Sequence, residues 1–336
     1  MKFITKNLSE IKDIIEYNKK LEFTDYDKNI EEIGRSKNIV ILGNFDGIHK
    51  GHKIILEKAV KKAKEKNLKT IVYTFSEYPK NRQNKITTCS EKAYLLNENK
   101  IDYLYLEEFE KVRNYSPEEF VKKVIVDILN ASEVYCGFNF TFGKGKSGNV
   151  VMLEKLLKEK NIKLNLQEPV LDENNEIISS TRIRKYIENT NFTKVKELLG
   201  HNLIILGKVI YGKQLGRVIG FPTANLRFES KVYPEFGVYG VKIHIENDEK
   251  VYNGVMNIGR NPTVDVGVLS VETNIFNFNE DIYGKVILIE VLENIRPEKK
   301  FNSVEELKIQ IGNDVNYWKQ KISYWRKKYQ KETDAI

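Results

Sequence analysis

The sequence predicts two folds in succession, an α/β fold in the first half of the chain and an all-β fold in the second. In the first half, short apolar runs alternate with segments whose apolar residues recur at helical spacing. In the second half the apolar period drops to two, and Gly and Pro fall between the runs. A polar break near Glu188–Asn191 separates the halves, so we expect domains over residues 1–187 and 188–336.

The first half is predicted to alternate strands and helices. Asn38–Leu42 is an apolar run bounded by glycine, and a helical pattern follows over Lys53–Lys66. Ser116, with Pro at the next position and Glu119 three residues on, forms a capping box that opens a helix to about Asn130. This order indicates a parallel sheet covered by helices on both faces. The other expected elements are strands at Thr70–Phe75, Ile101–Leu106, Glu133–Gly137 and Lys163–Val170, and a helix at Val150–Lys160.

The second half is predicted to form an antiparallel barrel, because several short strands follow one another at close spacing. A helix around Thr193–Leu199 precedes it. A last helix begins at Ser303 with Glu306 as its capping partner and continues past Trp325. The expected strands are Ile204–Val209, Tyr239–Glu246, Lys250–Ile258, Ser270–Phe278 and Lys285–Leu292.

The composition favours a chain that buries a core. Hydrophobic residues make up 41% and charged residues 30%, which excludes a largely disordered chain. There is no apolar run of membrane-spanning length, and Met1–Glu10 does not resemble a signal peptide. Cys89 and Cys136 give neither a disulfide framework nor a metal motif, so we expect the cytoplasm. The net charge of +8 suits anionic ligands such as nucleotides, and also nucleic acid, although the lysines are spread as on an ordinary solvated surface.

The densest motif lies where the first predicted strand meets the first predicted helix. It includes two histidines three residues apart. Ligands bind at the carboxyl ends of parallel strands, and a helix N-terminus there offers free N–H groups to a phosphate. The alternatives are a metal pair or two surface histidines, and a metal would need further ligands that the spacing does not supply. We therefore expect a phosphate site formed by Gly43, Asn44, Phe45, Asp46, Gly47, His49, Gly51 and His52.

A second motif, Ile178–Arg184, opens a later helix. Its hydroxyl groups, free N–H groups and arginines converge within one turn, which is typical of an anion site. Taken alone, the same residues could simply cap the helix. The candidate residues are Ser179, Ser180, Thr181 and Arg184.

The second half carries a glycine-rich segment that leads into Pro222–Asn225. Thr223 and Asn225 offer hard oxygen ligands at alternate positions, which suits Mg²⁺ with bound phosphate. The alternative is a proline turn with an asparagine cap. Glu272 lies in an alternating strand and is either a solvent-face residue or a general base in a cavity. The further phosphate-binding candidates are Gly207, Gly212, Gly216, Arg217 and Gly220.

Three segments in this order, GNFDGIHKGH, GFNFTFG and ISSTRIR, resemble the adenylyltransferase half of bacterial bifunctional FAD synthetases (riboflavin kinase/FMN adenylyltransferases). The resemblance implies a HIGH-type nucleotidyltransferase fold with a Rossmann-like parallel sheet, in which His49, His52 and Arg184 act on the triphosphate of ATP. Asn139 would contact the nucleotide or FMN. The segment Ser76–Tyr78 departs from the family's histidine-containing pattern, which leaves any role of that histidine open. On the far side of the triphosphate the resemblance places Ser179, Ser180, Thr181 and Arg184.

The second half resembles the riboflavin kinase module of the same family, through the unchanged Pro-Thr-Ala-Asn motif. This implies a six-stranded antiparallel barrel with a terminal helix. Thr223 and Asn225 would carry Mg²⁺ and ATP phosphates, and Glu272 would take the proton of the riboflavin 5′-hydroxyl. Asn257 and Arg296 are expected at the flavin. The departures are Asn274 and Asn277, where the family usually has His and Asp.

The resemblance implies two reactions in one chain. Riboflavin and ATP give FMN and ADP in the second half, and FMN and ATP give FAD and pyrophosphate in the first half, with Mg²⁺ at both sites. The expected partners are these small molecules, without nucleic acid or membrane, in a monomer or weak homo-oligomer. One rival is an enzyme in which one half has become a scaffold. The other is a nucleic-acid-binding module, which would need clustered basic residues interleaved with aromatics.

Overall fold

The computed structural model describes residues 1–5, 14, 17, 22–23, 26–76, 84–212, 215–260 and 269–333. The chain forms two compact units, each built from more than one stretch of sequence. The first unit comprises Met1–Lys185, Glu197–His201 and Ser230–Val232. The second unit comprises Tyr186–Lys196, Asn202–Glu229 and Tyr233–Ile336.

The described strands of the first unit form a seven-stranded sheet in which every pairing is parallel, as predicted. The strand order is β2-β1-β5-β4-β3-β6-β7. Leu42 at the end of β3 lies opposite Tyr73 of β4 and Cys136 of β6, so these three strands present their carboxyl ends at one edge. The strands are β1 (Lys2–Ile4), β2 (Glu22–Phe23), β3 (Asn38–Leu42), β4 (Lys69–Phe75), β5 (Tyr103–Glu107), β6 (Ala131–Gly137) and β7 (Lys163–Gln167).

Helices alternate with these strands along the chain. Within the first unit they are α1 (Tyr26–Gly34), α2 (Lys50–Lys66), α3 (Cys89–Glu98), α4 (Phe109–Val112), α5 (Pro117–Glu119) and α6 (Val150–Lys158). Two more follow, α7 (Ser180–Glu188) and α8 (Phe192–Leu199), and the residues of each are divided between the two units. The capping box at Ser116 and Glu119 is present as predicted, but after one turn the helix continues as a π-helix over Phe120–Ile128. Apolar side chains of this π-helix pack into the core with strands β3 to β6.

The sequence analysis missed α3. Its burial explains why, since Glu91 and Lys92 are buried along with the apolar residues of the helix. Polar residues at buried positions remove the periodic contrast on which a helix prediction depends. Strands β1 and β2 were also missed, because two or three residues are too few to show any period.

The second unit contains a closed six-stranded barrel, in which all pairings are antiparallel. Its strands are β8 (Leu203–Ile210), β9 (Ala224–Arg227), β10 (Gly237–Ile245), β11 (Val251–Arg260), β12 (Leu269–Ile275) and β13 (Val286–Pro297). Helix α9 (Leu215–Val218) lies between β8 and β9. Strand β9 was not predicted as a strand because it is only four residues long and follows a proline.

The terminal helix α10 (Val304–Thr333) packs on the barrel through Trp318, which is completely buried. Gly240 of β10 makes this contact possible, because a Cβ at that position would overlap the indole ring. Val238, Val255 and Phe276 complete the cluster around Trp318. The predicted six-stranded barrel with a terminal helix is therefore confirmed.

No helix in the described part of the chain combines the length and the apolar character needed to cross a membrane.

Candidate active sites

The loop between β3 and α2 brings the two motif histidines together at the carboxyl edge of the sheet. His49 is the N-cap of α2, and its Nδ1 accepts a hydrogen bond from the backbone N–H of His52 at 3.4 Å. The two imidazole rings are stacked, with centroids 3.7 Å apart and planes 17° from parallel. The ring of Phe45 also packs against His52, with centroids 5.1 Å apart and planes tilted by 58°. The motif thus places two ring systems at the N-terminus of a 17-residue helix.

Burial keeps both histidines neutral near pH 7. It lowers the pKa of His49 to about 4 and lowers the pKa of His52 well below its usual value, with the neighbouring charges of His49 and Lys92 adding to the effect on His52. Since Nδ1 of neutral His49 accepts a hydrogen bond, the proton of this ring is assigned to Nε2. His49 can therefore donate one hydrogen bond to an anion without carrying a charge.

The backbone of this loop adopts an uncommon conformation. Phe45, Gly47 and Ile48 have φ angles of 49°, 82° and 43°, in the left-handed region. Two of these residues are not glycine, and such a conformation costs of the order of 1 kcal/mol or more for each. Phe45 and Ile48 are almost fully buried, at 1% and 0% exposure, so packing offsets this strain. A strained loop held by burial is typical of a site whose geometry matters for function.

Asp46 connects this loop to two other segments. Its Oδ1 accepts hydrogen bonds from the backbone N–H groups of Ile86 and Thr87 at 2.8 and 3.1 Å. Its Oδ2 accepts one from the Arg184 guanidinium at 2.7 Å, and its backbone oxygen accepts one from Ser180 Oγ at 2.9 Å. The first two predicted phosphate-binding motifs are therefore adjacent, with a carboxylate between them.

The other residues of the second motif have separate environments. Ser179 Oγ accepts from the backbone N–H of Arg182 at 3.4 Å, as an N-cap does. Thr181 is exposed. The Arg182 guanidinium is paired with Asp172 at 2.6 Å and with Glu176 at 2.5 Å, which leaves Arg184 as the arginine that faces the loop.

Three further residues of the first unit were singled out or missed by the sequence analysis. Asn139 is exposed two residues beyond the end of β6. His201 and Thr87 were missed, and both contact Gly47. His201 Nε2 lies 3.0 Å from the Gly47 carbonyl oxygen, and the Gly47 backbone N–H donates to Thr87 Oγ1 at 3.1 Å. Neither residue lies in a recognisable motif, so no local signal marks it. Residues 77–79, part of the noted departure, lie outside the described residues.

In the second unit, three predicted residues form a row across the barrel. Asn225 of β9 lies opposite Glu272 of β12, and Glu272 lies opposite Asn257 of β11. Side chains of directly opposite residues share a face of the sheet, so these three groups are neighbours. All three are half-buried, and Ser270 Oγ donates to Glu272 Oε1 at 3.3 Å. This row gathers an amide from each flanking strand around one carboxylate.

Three of the predicted phosphate-binding glycines of the second unit have close neighbours in or next to β9. A Cβ at Gly212 would overlap the Asn225 amide, and a Cβ at Gly216 would overlap the carbonyl oxygen of Phe221 and lie 3.1 Å from Thr223 Oγ1. At Gly207 a Cβ would come within 2.8 Å of the Arg227 carbonyl oxygen. The absence of a side chain at Gly212 and Gly216 thus allows the backbone at these two positions to lie close to Asn225 and Thr223.

The remaining candidates of the barrel differ in exposure. Gly220 has a φ of 88°, which favours glycine, and Arg217 is exposed on α9. Arg296 is held by Asp314 of α10, with Nε 3.0 Å from both carboxylate oxygens and a second nitrogen 2.9 Å from Oδ2. Asn274, one of the departures, donates to the carbonyl oxygen of Pro222 at 2.8 Å. That asparagine therefore braces the segment that carries Thr223.

Comparison with known proteins matches both halves of the chain. A family model described as FAD synthetase covers residues 32–182, and one described as riboflavin kinase covers residues 199–322. A relative from Haemophilus influenzae, named bifunctional riboflavin kinase/FMN adenylyltransferase, is 34% identical over 82% of this chain and 91% of its own length. The chain belongs to the bifunctional riboflavin kinase/FMN adenylyltransferase family. The resemblance inferred from the motifs is thereby confirmed.

Other relatives in this family give the same picture. The Bacillus subtilis protein of the same name is 36% identical over 83% of this chain and 91% of its own. A crystal structure described as a macrolide-efflux protein from Streptococcus pneumoniae is 34% identical, covers 85% of this chain and 95% of its own, and superposes with a TM-score of 0.73. The order of the two family models places the FAD synthetase part first and the kinase part second.

Proposed function

We propose that the chain makes FAD from riboflavin in two ATP-dependent steps, with one step in each unit. It phosphorylates riboflavin to FMN and transfers the adenylyl group of ATP to FMN, as the names of its relatives describe. Its substrates are therefore ATP, riboflavin and FMN. The observation that supports two separate sites is that each unit gathers its own motif residues, around Asp46 in the first and around Glu272 in the second. We assign the two activities to residues 1–187 and 188–336.

In the adenylyl transfer, a phosphate oxygen of FMN attacks the α-phosphorus of ATP and pyrophosphate leaves. This step needs no nucleophilic side chain, so alignment and charge stabilisation account for catalysis. The N-terminus of α2 presents free N–H groups to the triphosphate, and His49 Nε2–H and His52 donate to its oxygens. Arg184, aligned by Asp46, faces the leaving pyrophosphate. Asn139 contacts the nucleotide or FMN.

In the kinase step, the 5′-hydroxyl of riboflavin attacks the γ-phosphorus of ATP, the bond from that phosphorus to the β–γ bridging oxygen breaks, and ADP leaves. Glu272 accepts the proton of that hydroxyl, and the flanking amides of Asn225 and Asn257 orient the nucleotide and the flavin. Thr223 and the nearby glycines receive the phosphates. The Arg296 guanidinium, fixed by Asp314, contributes to the flavin site.

The donor set around Thr223 fits Mg²⁺ in part. Thr223 and Asn225 offer neutral oxygens and Glu272 a carboxylate, all of which are ligands that Mg²⁺ accepts. Within the described residues no group of three or more His, Cys, Asp or Glu could hold a metal ion alone. We infer that Thr223 and Asn225 hold Mg²⁺ together with the nucleotide phosphates. Bound there, the ion would neutralise phosphate charge.

The decisive experiment measures both products of the purified chain by chromatographic separation of flavins. We expect His49→Ala to abolish FAD formation from FMN and to leave FMN formation from riboflavin intact. Glu272→Ala should stop riboflavin phosphorylation and leave adenylylation of added FMN intact. If either variant loses both activities equally while still folded, the two-site assignment is wrong. If the wild-type chain makes only one product, the rival of a single-activity enzyme with a scaffold half is correct.

We further propose that the chain acts in the cytoplasm as a monomer or weak homo-oligomer, without a nucleic-acid or membrane partner. Cys89 and Cys136 are both buried thiols, which agrees with a reducing compartment. Binding to RNA at moderate ionic strength would contradict this proposal.

A further inference from the structure

An ion pair in the first unit is almost completely removed from solvent. Lys231 Nζ donates to both carboxylate oxygens of Glu91 at 2.8 Å, and the side chains are 0% and 1% exposed. The residues are 140 positions apart in sequence. Lys231 comes from the stretch between β9 and β10, yet Ser230–Val232 belongs to the first unit. A buried ion pair contributes little net stability compared with apolar residues of similar size. Stability alone therefore does not explain why this pair is present.

Glu91 holds the first turn of α3. Its Oε2 accepts from the backbone N–H of Thr88 at 2.9 Å, and Thr88 Oγ1 accepts from the backbone N–H of Glu91 at 3.1 Å, which is a complete capping box. A second bond joins the same two segments, from the N–H of Val232 to the carbonyl oxygen of Lys85 at 2.9 Å. The stretch 230–232 is therefore fixed to the start of α3 at two points.

The residue just before this cap holds the candidate phosphate loop. Thr87 donates to Asp46 Oδ1 through its N–H at 3.1 Å and through its hydroxyl at 3.4 Å. Its Oγ1 also accepts from the N–H of Gly47 at 3.1 Å. Any shift in the first turn of α3 is therefore passed to Asp46 and Gly47, and from Asp46 to Arg184.

We propose that Lys231 is a positioning residue for adenylyl transfer, acting through Glu91, Thr88 and Thr87 on the loop that carries Asp46 and His49. This rests on the proposed function of that loop. Displacement of a reacting geometry by about 1 Å can cost about a hundredfold in rate, so a tie of this kind affects kcat. Without the ammonium group, the buried carboxylate of Glu91 loses two hydrogen bonds and a counter-charge, which weakens the first turn of α3.

The test compares Lys231→Met, Glu91→Gln and the double variant in the full chain. Glutamine at this position still caps the helix, but Glu91→Gln takes the counter-charge away from the buried Lys231 ammonium group, so the charged tie between residues 230–232 and the first turn of α3 is lost while the cap remains. We expect each single variant to lower kcat for FAD formation at least tenfold with a smaller change in KM for ATP. The double variant removes both charges of this pair and should lose only about threefold. FMN formation from riboflavin should stay within about twofold in all three.

A second ion pair in the same unit supplies the control. Glu133, 4% exposed at its side chain, pairs with Lys66 at 2.6 Å near the amino ends of β3 and β6, away from the loop. Glu133→Gln and Lys66→Met should lower the melting temperature but keep the FAD rate.

Three results would overturn the proposal. The first is an unchanged FAD rate in folded single variants. The second is a parallel loss of the FMN and FAD rates. The third applies if the single variants do not fold. The double variant is then the test, and an unchanged rate of FAD formation in it would contradict the proposal. The proposed function is tested separately, by whether the wild-type chain makes both products.

Discussion

The carboxylate of Asp46 lies 2.7 Å from the guanidinium of Arg184, a residue 138 positions later in the chain. The same carboxylate accepts two backbone N–H groups, from Ile86 and Thr87. Both carboxylate oxygens of Asp46 therefore already accept hydrogen bonds, and we do not assign this residue the role of a general base. It joins the two motifs proposed to bind the triphosphate, and it holds the Arg184 guanidinium beside the loop.

We expect Asp46→Asn to lower kcat/KM for FAD formation about a hundredfold. The asparagine amide group would face either the Arg184 guanidinium or the N–H groups of Ile86 and Thr87, so a donor would oppose a donor. The measurement is the initial rate of FAD formation from FMN, at saturating and at low concentrations of ATP. Asp172→Asn is the matched control, because Asp172 pairs with Arg182 on the same helix at 2.6 Å. The control should stay within about threefold, and an Asp46→Asn enzyme of normal rate would contradict the anchoring role.

Gly51→Ala should reduce FAD formation about tenfold. An added Cβ would lie 3.1 Å from Cε1 of the His49 ring, so the ring has to move away from its stack with His52. Gly34→Ala tests the cost of the substitution itself, since a Cβ there meets no atom within 4 Å. Steady-state rates and melting temperatures of the two variants separate displacement of His49 from a general effect. Equal behaviour of the two variants would remove the steric argument.

Gly212→Ala should weaken the kinase reaction and spare adenylylation of added FMN. The new Cβ would overlap the Asn225 amide, which we place at the nucleotide phosphates, so kcat/KM for ATP in FMN formation should fall about tenfold. Gly312→Ala in α10 is the control, because its Cβ would meet the Phe221 ring at an ordinary 3.8 Å. That change should raise stability by about 0.5–1 kcal/mol through helix propensity. An unchanged ATP dependence in Gly212→Ala would exclude Asn225 from the phosphate site.

The free energy of unfolding should fall as the pH is lowered from about 6.5 to about 4. Burial lowers the pKa of His49 to about 4, whereas an unfolded histidine titrates near 6.5. Between these values the unfolded chain binds a proton that the folded chain refuses, so acid favours unfolding, by up to ~3 kcal/mol for His49. His52 adds to the same trend. The free energy of unfolding, measured by urea unfolding at several pH values, should change less with pH in His49→Gln than in the wild-type chain. An identical pH dependence would contradict the burial effect.

The apolar periods were sufficient to predict the parallel sheet, the antiparallel barrel and the terminal helix. They failed where tertiary structure overrides the local pattern. Helix α3 has a buried glutamate and a buried lysine, and their burial depends on partners distant in sequence. Strand β9 is too short to show a period and is defined by its pairing with β8 and β12.

The sequence suggested candidate residues for the site but not their arrangement. The motifs marked Asp46, Ser180 and Arg184 as phosphate ligands, whereas in the structure Asp46 bonds to both of the others. Thr87, His201 and Lys231 escaped prediction because their positions follow from the fold and no motif includes them. The roles of the site residues themselves stay predictions until the variants are measured.

The composition of the first unit bears on attempts to dissect the protein genetically. His201 and Lys231 both belong to that unit, although they lie downstream of residue 187. A fragment that stopped at residue 187 would forfeit the His201 contact with Gly47 and leave Glu91 without its buried counter-ion. The first half expressed on its own would therefore lack part of the surroundings of Gly47 and Glu91, because these contacts come from residues after 187.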